Sequence, residues 1–217
     1  MIGRGTPWGE PESGSPDLEV RGGDAELPAA IAAQPGALVR FVPDTTSDLA
    51  RAVGLAAATS PAGIALPVDA LEVNGDVRAV NAVVLGRAPG RLRWATRRAP
   101  MRVVVDDREV FAGRATTIVI ASGQFLEGSD VIPRGHPGDG RLEVQVYALR
   151  RGERRAMRAR LPRGAHVPHP RIVATGGRRV EVELETGPLT LTTDRVPVGT
   201  ARRLSVAIVP GAVRLLV

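Results

Sequence analysis

Arg179-Val180-Glu181-Val182-Glu183-Leu184 alternates charged and aliphatic residues without a break. Side chains of a strand point to opposite faces with a period of two. The hexapeptide therefore predicts a strand with one wet face and one face on a core, the pattern of an antiparallel sheet. Outward from it, short strand-like segments fill the chain from Gly63 onward. Candidates are 65–73, 77–85, 101–105, 109–111, 116–121, 142–149, 171–174, 189–193 and 204–209, with 213–217 last. Turn residues separate them, at Asn74-Gly75, Asp106-Asp107, Gly138-Asp139-Gly140, Gly176-Gly177 and Pro210-Gly211. Thr192-Thr193-Asp194-Arg195-Val196-Pro197-Val198-Gly199 lies between two of these strands, and Asp194-Arg195-Val196 within it reads as a β-turn. Only residues 152–160 have helical composition in this half.

Before Gly63 the character differs. Residues 1–17 are rich in Gly, Pro, Ser and charge and read as a flexible lead-in. Leu18-Glu19-Val20-Arg21 predicts a short strand, ended by Gly22-Gly23-Asp24. Residues 25–33 predict a helix that tolerates Pro28 only in its first turn. A second strand over 37–42 stops at Pro43-Asp44, and Ser47 is a candidate N-cap for a helix over 48–58. The order is β-α-β-α.

Composition narrows the function classes. The 217 residues suffice for a real core, 43% are hydrophobic and only 3% aromatic, so Val, Leu, Ile and Ala must build it. All 29 basic residues are arginines and the formal net charge is +6. That charge suits a solvated surface or an anionic partner such as phosphate, acidic lipid or nucleic acid. The densest arginine run, Arg150 to Arg163, carries one acidic residue, Glu153. The absence of cysteine excludes a disulfide framework, a thiolate metal site and a cysteine nucleophile, and fits a reducing cytosol. No apolar run approaches a membrane span and the N-terminus has no signal-peptide core, so a cytoplasmic location is expected, with any lipid contact peripheral. Nucleic acid is an unfavoured partner, because aromatics do not interleave with the arginines.

Several motifs resemble the diacylglycerol-kinase-like and sphingosine-kinase-like lipid kinases, over most of residues 18–217. Gly22-Gly23-Asp24-Ala25-Glu26 stands where that family has Gly-Gly-Asp-Gly-Thr. Pro43-Asp44-Thr45-Thr46-Ser47-Asp48-Leu49-Ala50-Arg51 stands for Gly-Gly-Thr-x-Asn-Asp-Leu-Ala-Arg. Ser122-Gly123-Gln124 stands for Asn-Gly-x, Asp139-Gly140-Arg141-Leu142-Glu143-Val144 for Asp-Gly-x-Leu-Asp-Val, and Asp194-Arg195-Val196 for Asp-Gly-Glu. The resemblance implies an α+β fold: a small α/β remnant of a nucleotide-binding domain over 18–62, then a β-rich, sandwich-like domain over 63–217. It implies ATP and magnesium as cofactors of an active member. Gly22, Gly23, Asp24, Thr45 and Asp48 correspond to nucleotide-binding positions, and Asp139 to a metal position.

The departures from the pattern carry the functional expectation. Glycines at a helix N-terminus let amides approach a phosphate, whereas Glu26 and Asp44 bring negative charge and Pro43 removes an amide. The family's general base falls on Val196, and valine accepts no proton. The family's first β-α-β unit has no room before Gly22. The leading expectation is a catalytically impaired lipid-kinase-like protein that binds a lipid or a protein. One alternative is an active ATP-dependent lipid kinase phosphorylating a diacylglycerol-like hydroxyl, with a second copy or another chain completing the site. A basic nucleic-acid-binding protein is the other. His166 and His169 read as a structural loop and His136 as exposed.

Overall fold

The computed structural model describes residues 8–55, 63–75 and 77–216. The strands in chain order are β1 (Glu10–Pro11), β2 (Leu18–Gly22), β3 (Leu38–Pro43), β4 (Ile64–Val73), β5 (Val77–Ala79), β6 (Ala82–Gly86), β7 (Ala99–Val105), β8 (Arg108–Ala115), β9 (Thr117–Ala121), β10 (Phe125–Leu126), β11 (Ser129–Asp130), β12 (Leu142–Tyr147), β13 (Ile172–Gly177), β14 (Arg179–Leu184), β15 (Leu189–Thr193), β16 (Val196–Ala201) and β17 (Arg203–Leu216). The helices are α1 (Leu27–Ala33), α2 (Asp48–Val53) and α3 (Glu153–Arg160), with single 3-10 turns at Asp24–Glu26, Pro89–Arg91 and Leu161–Arg163.

The fold is α+β and β-rich. A nine-stranded sheet runs β1-β4-β17-β14-β7-β8, with β2, β3 and β5 joined to it, and a six-stranded sheet runs β13-β12-β9-β6-β15-β16. Alternate residues of both sheets face each other. Val103, Val105, Val180 and Val182 of the large sheet share one core with Val83, Ile118, Ile120, Leu142, Val144 and Leu191 of the smaller one. The hexapeptide 179–184 has every second residue buried, as its alternation predicts. The other face of the six-stranded sheet is also covered. Val84, Val119 and Tyr147 pack there with Met157 of α3, Leu161 and Ile132. Buried on both faces, β9 (Thr-Ile-Val-Ile-Ala) has no wet residue and no alternation.

The α/β part is not a separate layer. β2 pairs in parallel with β3, and β3 pairs in parallel with the end of β17. α1 and α2 cover this extension of the large sheet, with Leu27, Ile31 and Leu49 against Phe41, Val68 and Leu215. β2 and β3, before the expected boundary near residue 62, and β4, after it, therefore belong to one sheet. The expected lead-in also meets structure. Glu10 and Pro11 pair with Ala65 and Ile64, and the Trp8 ring packs edge-on against His136, with centroids 4.6 Å apart. His136 is thus half-buried and not exposed. Residues 1–7 lie outside the described residues.

Three strand expectations need correction. Residues 77–85 form two strands, because the chain leaves the large sheet after Ala79 and enters the smaller one at Ala82. Pro210-Gly211 is a bulge inside β17 and not a hairpin turn: Val209 and Val213 both oppose β4, at Ala70 and Val68, so the three residues between them bulge opposite Asp69. No strand is expected over 196–201, yet β16 forms there. It is an edge strand, where a proline without an amide donor is tolerated. The α2 helix ends at Val53, stopped by Gly54 in the left-handed region (φ 74°), whose amide closes the last turn on Ala50 and Arg51. The rest of its expected span, from Ala56, lies outside the described residues.

Candidate functional site

The family-like motifs meet where the α/β part abuts the sandwich, and buried carboxylates organise that junction. Asp24 is 4% exposed. It accepts hydrogen bonds from the Ser47 hydroxyl and from the amides of Asp48 (3.0 Å) and Leu49 (3.1 Å). Ser47 in turn accepts from the Ala50 amide at 2.9 Å, the N-cap expected of it. Asp24 thus satisfies amides that the first turn of α2 leaves unpaired. Burial pushes its carboxyl above the usual aspartate range, with the Ser47 hydrogen bond opposing. Asp48 faces the other way, accepting from the amides of Glu127 (2.7 Å) and Gly128 (2.8 Å) in the β10–β11 turn. Arg51 reaches the same turn, donating to the Gly128 carbonyl at 2.8 Å and lying 4.5 Å over the Phe125 ring.

Asp194 makes the second knot. Where the chain crosses between sheets at Val80-Asn81, three successive amides have no strand partner. The Asp194 carboxylate accepts all three, from Val80 (2.7 Å), Asn81 (3.0 Å) and Ala82 (2.9 Å). The Ser122 hydroxyl donates to the Val80 carbonyl at 2.9 Å, and the Asn81 amide group donates to the Phe125 carbonyl at 3.0 Å. Gly123 is required here, since a Cβ would stand 2.2 Å from the Asn81 side-chain oxygen. Burial pushes the Asp194 carboxyl up to about 7, its three amide donors oppose the rise, and the nearby Asp24 charge adds to it. Asp194 and Arg195 both have positive φ (43° and 71°), the two-residue hairpin turn between β15 and β16.

The would-be phosphate turn is occupied by its own chain. Gly22 has φ 124°, and a Cβ there would stand 2.9 Å from the Glu26 side chain. A Cβ on Gly23 would meet the Thr46 hydroxyl at 3.4 Å and the Asp44 carboxylate at 3.8 Å. Asp44 accepts from both the hydroxyl and the amide of Thr46, which hold its carboxyl below the usual range. Arg195 closes the arrangement from 149 positions away in sequence, donating to the Thr46 carbonyl at 2.6 Å. Thr45 is exposed, and Val196 is 47% exposed on the edge strand. The junction therefore brings Asp24, Asp48 and Asp194 together as structural acceptors and leaves Thr45 and Val196 outside the knots.

The metal expectation at Asp139 does not fit the residues present. Asp139 accepts from the Arg141 amide two positions on, at 3.0 Å. Its neighbour Asp69 spends both oxygens on the amides of Gly140 (2.7 Å) and Gly211 (2.9 Å). No group of three metal-ligating side chains occurs among the described residues, and a hard cation needs several oxygens. Asp69 filling the bulge of β17 went unrecognised in the sequence, as did the Arg195 clasp.

A cleft of about 610 Å³ lies elsewhere, beside β12 and β13, lined among others by Arg134, Glu143, Gln145, Val167, Pro168 and Ala174. Behind it the Tyr147 hydroxyl donates to the Gln145 side-chain oxygen at 2.5 Å, and the His166 Nε2 lies 3.2 Å from the same oxygen. Burial lowers the His166 pKa and raises that of Glu143. Among the described residues, no helix is long and apolar enough to cross a membrane.

Comparison with known proteins agrees with this geometry. Residues 91–217, more than half of the chain, match the YegS C-terminal NAD kinase beta sandwich-like domain. A diacylglycerol kinase from Bacillus anthracis str. Sterne has the same fold, with a TM-score of 0.71 at 18% identity over 92% of this chain and 76% of that one. An NAD kinase from Archaeoglobus fulgidus in complex with ATP gives 0.51 at 14% identity, covering 93% and 78%. Yeast NADH kinase complexed with NADH gives 0.50 at 13% identity, covering 92% and 61%. Identities this low speak to the fold alone. No curated protein matches the chain. The matched family model, over more than half of the chain, places it in the YegS-like, diacylglycerol-kinase-like lipid kinase family, and the fold agrees.

Proposed function

We propose that this protein is a lipid-binding member of its family that has lost phosphoryl transfer. The observation that carries the reading is the Asp44 carboxylate turned towards Gly23 beside Thr46, with Glu26 over Gly22. Phosphate binding at such a turn relies on free amides and a positive local field. Here two carboxylates oppose a polyanion, and Pro43 supplies no amide. Two further features support it. Val196 cannot take a proton from a lipid hydroxyl. Asp194, the nearest carboxylate in the motif, is buried with both oxygens bonded to amides. Lipid binding is favoured by the 610 Å³ cleft, which combines aliphatic lining from Val167, Pro168 and Ala174 with polar groups at Gln145 and Arg134.

Titration calorimetry with ATP and magnesium tests the first half, and no saturable binding is expected. A dissociation constant in the micromolar range overturns it and favours a working lipid kinase. Phosphoryl transfer depends mainly on positioning and charge neutralisation, and loss of one base need not abolish it. Restoring Asp-Gly-Glu with Arg195→Gly and Val196→Glu is expected to give no transfer to diacylglycerol, because a base worth ~10²–10⁴-fold cannot act on an unbound donor. Mass spectrometry of lipid retained by the purified protein tests the second half.

A further inference from the structure

The surface around Trp94 carries chemistry that neither the junction nor the cleft uses. Trp94 is 65% exposed, at the tip of a tight turn with the exposed Ala95. The turn is pinned. The Arg93 amide donates to the Thr96 hydroxyl at 3.0 Å, and the Thr96 amide to the Arg93 carbonyl at 3.1 Å. Beneath it lies Arg154 of α3, only 2% exposed. One of its guanidinium nitrogens, Nη1, donates to the carbonyls of Arg93 (2.7 Å), Trp94 (2.9 Å) and Thr96 (2.7 Å). No carboxylate pairs with Arg154 among the described residues, and its buried Nε has no partner. A buried cation thus fixes three carbonyls and holds an indole out in water.

The surroundings are cationic. Residues 87–98 contain five arginines and no acid. Residues 148–163 contain seven arginines and one acid, Glu153, which is engaged by the Arg150 amide and Arg171. Arg93, Arg97, Arg150, Arg151 and Arg155 are exposed, and none has an ion-pair partner among the described residues. Arg151 covers one face of the Trp94 ring, 4.4 Å from its centroid.

We propose that this turn and its arginines dock the protein on an anionic bilayer surface, with Trp94 entering the headgroup region. Three observations select a bilayer. The patch is positive and unneutralised, which suits a continuous anionic surface. A lone indole at a rigid, convex tip beside alanine suits the membrane interface, where tryptophan is enriched. One ring face is already covered by Arg151, which disfavours base stacking on an aromatic platform. The proposal rests on these observations and not on the cleft, and it holds for an active or an inactive kinase.

Sedimentation with vesicles tests it. Wild type is expected to bind vesicles of phosphatidylcholine mixed with phosphatidylglycerol, not phosphatidylcholine alone, and to release as salt rises. Each exposed arginine contributes about five-fold to such binding. Arg97→Ala with Arg155→Ala, both exposed and unpaired, should therefore weaken it by roughly 25-fold. Phosphatidylglycerol with brominated chains should quench the wild-type tryptophan emission. Trp94→Ala should lose that quenching while keeping the thermal midpoint of the wild type. Absence of wild-type binding, binding unchanged in the arginine variant, or quenching that survives Trp94→Ala each overturns the proposal. So does equal or tighter binding to a single-stranded oligonucleotide, which would assign the patch to nucleic acid. Retention of a lipid by a protein that ignores vesicles refutes this inference alone, and vesicle docking without retained lipid refutes only the cleft reading.

Discussion

The sandwich and the junction beside it are stabilised in different ways. In the sandwich, many aliphatic side chains share the task, and each strand repeats the same alternation against neighbours of the same kind. In the junction, Asp24, Asp48 and Asp194 each collect amides from segments far away in sequence, at 24–25, 79–80 and 112–114 positions' separation. A redundant apolar core loses a little with each truncation. A polar knot loses every donor that its acceptor served.

That contrast predicts the order of mutational effects. The largest is Asp194→Ala. It strands three buried amides, and at ~1–3 kcal/mol for each unsatisfied donor the loss should be roughly 3 kcal/mol or more in urea unfolding. A loss no larger than that of a conservative core change would erase the distinction. Titration sharpens it. Asp194 and Asp24 have folded pKa values above those of the unfolded chain. The folded state therefore binds their protons more tightly, and the stability that this contributes is lost as pH rises from about 4, the ordinary aspartate value, to about 7. The gap between wild type and Asp194→Ala should narrow over that window, and widening would show that the ionised carboxylate is the preferred partner of the amides. In the sandwich, Ile120→Val should cost only about 0.5–1.5 kcal/mol. Smallest is Arg195→Ala, which removes one exposed bond to the Thr46 carbonyl. It should cost under about 1 kcal/mol and instead raise hydrogen exchange at residues 44–48. Unchanged exchange there would mean that the clasp holds nothing.

The same contrast explains what was legible in the sequence. Arg179–Leu184 and Leu189–Thr193 announce themselves because period-two alternation is local. Ser47 as a cap was equally local, one hydroxyl and an amide three residues on. The break at Val80-Asn81 was hidden inside an apolar run, since what makes it affordable is a carboxylate more than a hundred residues away. The bulge at Pro210-Gly211 looks like a turn unless one knows that β4 continues past it with Asp69 in the gap. At the candidate site, the charges of Asp44 and Glu26 were readable. The reach of Arg195 to Thr46 was not, because a long side chain on a turn has no sequence signature for its target.

β17 has a mechanical consequence. Its 14 residues pair with β4 on one edge, with β14 for the first part of the other edge and with β3 for the last. Enzymes that close around a substrate commonly bend at a few terminal or loop residues between rigid lobes. Here the lobe bearing α1 and α2 is hydrogen-bonded to the same backbone as the sandwich, and any rocking would shear that ladder. Movement is left to the loops, so whatever this protein binds must be met by a frame that is already set.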